Sequence, residues 1–223
     1  MGLSLEVGLI AWQIANGQLD EELKHELERL NEFLTSRGMQ KHIEPTNCAS
    51  LSFGMYGYSG LHYLRRIAAH LALCGKLPEP DTNAGEGPNQ DPILREYFER
   101  ALSQEDGISR TFDHLILHSD ADGFYIPQQF AKVLIDETRE QVCGEFVGSS
   151  FSLLSECETL ANALELPLSI DPEGEEIYDA VDNPESGSDC EKWKQYGIES
   201  FTCIRLYLAA NHSVETGAAI IFC

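Results

Sequence analysis

The chain has 223 residues, 43% of them hydrophobic, and its 37 acidic and 15 basic side chains give a formal net charge of −22. That composition supplies a sizeable core and excludes a disordered chain. The negative field excludes direct binding to nucleic acid or to anionic membranes. No apolar run approaches the ~18 residues needed to span a bilayer, and the opening Met1 to Val7 has no basic stretch of a secretory signal, so the expected location is cytoplasmic.

Residues 5–14 are an apolar run that suits a buried strand or the first turns of a helix. From Leu19 to Ser36, leucines at 19, 23, 27, 30 and 34 predict a core-facing helix whose Glu, Lys and Arg form a solvated face. Residues 45–57, rich in Pro, Asn, Ser and Gly, read as a loop. A helix capped by Ser59 is predicted to run to Cys74, with Gly75 ending it. Residues 78–90 form a second loop, and Asp91-Pro92 is a strong helix start.

The alternation over Thr111–His118 predicts a largely buried strand, followed by a turn at Asp120-Ala121-Asp122-Gly123. Phe124 to Pro127 resumes extended chain, with Pro127 marking an edge or the strand's end, and Lys132–Ile135 is a further candidate strand. Helical spacing returns from Ser150 to Leu164 and again over Trp193–His212, and a short buried strand closes the chain at 218–222. Between the last two helices, residues 171–191 hold nine acidic side chains and no basic one, and read as an exposed acidic loop.

Few short strands scattered among helices predict a single α+β domain over residues 1–223, with about five helices and a small mixed or antiparallel sheet. The seven cysteines contain no C-x-x-C pair, so neither a disulfide framework nor a zinc cluster is expected. No nucleophile elbow, H-E-x-x-H, P-loop or Rossmann fingerprint is present. These readings predict no metal and no cofactor, and lean away from an enzyme.

Three constellations carry the candidate site. The first is His114, His118, Asp120, Asp122 and Tyr125, where Asp-x-Asp-Gly resembles the start of a calcium loop but lacks its later ligands. The plain reading there is a turn with carboxylates on nearby N–H groups; a metal or acid–base role is the alternative. The second is His62 and Arg66, four residues apart on one helical face beside Arg65, and suited to an anion or to internal salt bridges. The third is His212 with Glu215 near the last helix end.

The segments 51–66, 114–127 and 212–222 resemble parts of a group of small uncharacterised bacterial proteins, and the resemblance implies no activity and no site residues. Charge and missing catalytic signatures predict a non-enzymatic acidic binding protein with a basic protein partner, like immunity proteins or nuclease inhibitors. The alternative is a small-ligand or metal-dependent enzyme using a His/Asp/Arg pocket.

Overall fold

The computed structural model describes residues 3–55, 57–80, 87–103, 111–184, 187 and 190–222. The expected loop tips at 81–86 and at 185, 186, 188 and 189, together with Tyr56 and Cys223, lie outside the described residues.

Strand β1 (Ser4–Val7) gives way at Gly8 to helix α1 (Leu9–Ala15). Gly8 sits at φ 71°, and a Cβ there would come within 3.0 Å of both Ala49 O and Cys48 Sγ, so the apolar run splits into strand and helix at this glycine. Helix α2 (Glu21–Ser36) starts where Asp20 accepts the N–H of Glu22. Strand β2 (Leu51–Gly54) lies within the segment expected to be loop, and is followed by α3 (Gly57–Cys74). Asp91 starts α4 (Pro92–Ser103) as expected, its Oδ1 accepting from the N–H groups of Ile93 and Leu94.

The predicted strand at 111–118 is corrected. It is the short helix α5 (Asp113–Ile116). Long-range partners close both of its ends, which no local pattern announces. The Glu156 carboxylate accepts the N–H groups of His114 and Leu115 at 3.0 and 2.7 Å. The Arg65 guanidinium donates to the carbonyls of Leu115, His118 and Ser119. Strands β3 (Phe124–Ile126), β4 (Leu134–Ile135) and β5 (Phe146–Ser149) follow, then α6 (Ser150–Leu164), capped by the Ser149 hydroxyl.

The acidic stretch is corrected in part as well. Residues Glu175–Asp182 form helix α7, because Ile177 and Ala180 one turn apart give it a buried face. The last predicted helix is two, α8 (Lys192–Gln195) and α9 (Gly197–Thr216), before strand β6 (Ile220–Phe222). Gly197 lies where a Cβ would be 1.9 Å from Ala180 O, so the α7–α9 contact admits only glycine.

The six strands form one sheet in the order β2-β1-β6-β3-β5-β4, antiparallel throughout except for parallel β3 and β5. β3 is therefore interior, and Pro127 marks its end rather than a sheet edge. Alternate residues of the central strands bury on opposite faces. Leu5, Val7, Tyr125, Ile220 and Phe222 join the core of α3, α6 and α9, whereas Phe124, Ile126, Val147 and Ile221 pack against the leucines of α2. The result is an α+β fold with helices on both faces of a mixed sheet and nine α-helices among the described residues. No helix among the described residues is long and apolar enough to cross a membrane.

Candidate functional site

The turn between α5 and β3 is built by small residues. The Ser119 hydroxyl accepts from the N–H groups of Ala121 and Asp122, and Gly123 adopts φ 107°. Gly144, at φ 73°, sits so close that a Cβ would lie 2.6 Å from the Asp122 carbonyl carbon. The 120–122 turn is thereby pressed against the start of β5.

A cleft of about 520 Å³ opens beside this turn, with His62, Asn89, Asp120, Asp122 and Glu145 on its rim and Arg65 and His118 beneath. His62 Nε2 lies 2.6 Å from Asp120 Oδ2, and Asn89 Nδ2 donates to His62 Nδ1 at 2.9 Å. In that arrangement His62 is the Nε2–H tautomer with both ring nitrogens occupied, so it holds Asp120 in place and has no free lone pair for a general base. Burial raises the Asp120 carboxyl, but the His62 hydrogen bond and the Arg65 charge outweigh it and hold the group below the ordinary carboxylate range.

The other candidates separate from this cleft. His114, His118 and Tyr125 are buried. His118 stacks on Tyr125 with ring centroids 4.0 Å apart, and the Tyr125 hydroxyl donates to His114 O. Burial lowers both histidines to about 4 and lifts Tyr125 well above the usual phenol range. Arg66 binds Asp91 and the Glu79 carbonyl, His212 faces Ala49 O, and Glu215 accepts from Asn211. His62, Asp120 and Asp122 thus share one cleft, with His118 forming part of its floor. Arg66, His212 and Glu215 are engaged elsewhere. Among the described residues no group of three or more His, Cys, Asp or Glu is arranged to hold a metal ion.

On the far side of Asp122 lies a second cleft, of about 250 Å³, bordered by Asp20, Glu22 and Glu26 from the start of α2 and by Cys143. Burial raises the Glu26 carboxyl, Arg29 lowers it, and Glu22, Asp122 and Asp20 raise it again, leaving it above the ordinary value. The same surroundings push the Cys143 thiol up to about 11, burial first and then the charges of Glu26 and Asp122. Asp122 lines both clefts, so together they carry a rim of six carboxylates, Asp20, Glu22, Glu26, Asp120, Asp122 and Glu145. Holding like charges together costs stability. The glutamates of α2 escaped the sequence reading because helical amphipathicity alone makes them a solvated face, and Glu145 because no motif surrounds it.

The family profile described as "Putative DNA-mimic protein" matches residues 1–222. The chain belongs to this family. No curated protein and no solved structure matches it. Membership in the DNA-mimic family corrects the partner expectation. Charge alone predicts an unspecified basic protein of the toxin or nuclease kind; the family points instead to proteins that bind DNA. The resemblance to a group of small uncharacterised proteins agrees with the match, and an acidic binding protein fits the DNA-mimic description.

Proposed function

We propose that this protein occupies the DNA-contacting surface of a DNA-binding protein in place of the duplex. The observation that carries this reading is a DNA-mimic family match over residues 1–222 on a chain of net charge −22. Duplex DNA presents a dense row of fixed negative charges, and a protein that binds it answers with Lys and Arg held at matching spacing. Carboxylates on rigid elements can meet the same cations, and they do so without offering a base sequence to read.

The rim from Asp20 to Glu145 is the surface we assign to this contact. Its carboxylates stand at the start of α2, on a turn pinned by Gly144, and on the residue just before β5, so their positions are set before binding. Cations meet both acidic surfaces: Arg29 pairs with Glu26 and Arg139 with Glu145 on the rim, and Arg205 pairs with Glu173 and Lys194 with both Glu176 and Glu191 in the segment 171–191. In this reading His62 fixes the Asp120 carboxylate.

The immobilised chain tests the proposal. Proteins it captures from lysate are eluted with a mixed-sequence DNA duplex, and capture is repeated with a Glu22→Gln, Glu26→Gln, Asp122→Asn variant. DNA-binding proteins that elute with duplex and are captured at least about tenfold less by the variant support the assignment. Captured proteins that stay bound in excess duplex contradict it.

A further inference from the structure

β2 is the terminal strand of the sheet, and it stands in a stretch without charge. Residues 45–61 and 8–19 contain no acidic or basic side chain, in a chain whose net charge is −22. A groove of about 500 Å³ runs beside this edge, lined by Leu9, Trp12, Ser50 and Ser52, and by Glu6, which accepts the Ser52 hydroxyl at 2.7 Å. Trp12 is 45% exposed and Ile14 42%, a large apolar surface to leave in water.

The ladder decides which main-chain groups are free to pair outward. Met55 N–H donates to Leu3 O, so the inward-bonded positions of this antiparallel pair are Met55, Phe53 and Leu51, and Ser52 and Gly54 face away from β1. Neither obstructs an approaching strand. Ser52 and Gly54 are exposed, and a Cβ on Gly54 would meet nothing within 4 Å.

We infer that this edge joins two copies of the chain about a two-fold axis through Phe53, pairing Ser52 of one copy with Gly54 of the other and extending the sheet across both. An edge strand is complementary to its own two-fold image. A DNA-binding partner is drawn to carboxylates, and those beside this edge are tied, Glu6 to Ser52 and Glu173 to Arg205, whose guanidinium lies 6.0 Å from the Phe53 ring. A second copy of an acidic chain is repelled least where the carboxylates are few and held by partners, and this edge is such a face. The exposed Trp12 of each copy closes over the new strand pair. The inference goes beyond the mimic reading and does not rest on it.

Sedimentation equilibrium of the full chain tests it, in low salt and in about 0.5 M NaCl, where the Debye length falls to a few ångströms. The expected result is a mass twice that of the chain, with the dimer favoured by salt because screening relieves like-charge repulsion. Ser52→Glu with Gly54→Glu, which sets carboxylates opposite each other, weakens association at least about tenfold, and Trp12→Ala does the same through an exposed side chain. Unchanged far-UV dichroism confirms that both variants fold. A monomer in both salts, or a dimer that both variants leave intact, overturns the inference. Duplex competition for a DNA-binding partner weakens with salt, so the two readings fail separately.

Discussion

The Glu156 carboxylate and the Arg65 guanidinium close opposite ends of one four-residue helix, Asp113–Ile116, on which the cleft turn is hung. Both side chains are buried, and burial lifts Glu156 well above the ordinary carboxylate range. Glu156→Ala leaves two buried N–H groups without acceptors and is expected to cost about 3 kcal/mol. Glu156→Gln keeps one acceptor and costs less. Arg65→Lys also destabilises, because an ammonium cannot span three carbonyls as a planar fork does. Urea unfolding measures all three, and equal losses for Glu156→Ala and Glu156→Gln would contradict the capping role.

Gly197 and Gly148 are set by close approach and Gly54 is not. A Cβ at Gly197 would stand 1.9 Å from Ala180 O, and one at Gly148 would stand 2.2 Å from the Tyr125 ring. Gly197→Ala and Gly148→Ala are each expected to lose about 3 kcal/mol or more through forced separation of packed elements. Gly54→Ala, facing open space, is the control and leaves the thermal midpoint nearly unchanged.

Acid sensitivity is expected at the buried histidines. Burial lowers His114 and His118 to about 4 from an unfolded value of 6.5, so the native state refuses protons that the unfolded chain accepts. Their contribution is fully present above pH 6.5 and is lost as pH falls toward 4, on the order of 3 kcal/mol for each. His118→Phe keeps a ring against Tyr125 and removes the proton site. Stability curves of that variant between pH 6.5 and 4 should be flatter than those of the parent, and an unchanged slope would show that His118 does not drive the loss.

Neutralising Glu26 should separate stability from binding. Its carboxyl is raised, so the charged form is disfavoured in the folded chain and that penalty grows as pH rises through its value. Glu26→Gln is therefore expected to gain about 0.5 kcal/mol at neutral pH while weakening partner binding. A loss of stability in urea would mean that the Arg29 pairing outweighs the repulsion from Glu22, Asp122 and Asp20.

What the sequence disclosed depended on how local the cause was. α2, the Asp91 start of α4 and the helical spacing of α6 are written in short-range pattern, and the structure contains them. α5 reads as a strand because four apolar-flanked residues suit either form, and its decisive caps come from residues about 40 and 50 positions away. β2 and β5 hide in Gly- and Ser-rich stretches because pairing supplies their stability. His62 and Asp120 meet across 58 positions, and Asp122 reaches the α2 glutamates through tertiary folding. The candidate cleft was thus legible as residue types, whereas the carboxylate rim was not.

Competition with duplex is the most direct measurement. A captured DNA-binding protein is loaded with a fluorescently labelled duplex, the intact chain is added, and anisotropy follows release. Binding in place of DNA predicts complete displacement, a midpoint that rises in proportion to duplex concentration, and an affinity that falls steeply with salt. Anisotropy that stays high or climbs as the chain is added, reporting a complex in which chain and duplex bind together, would contradict it.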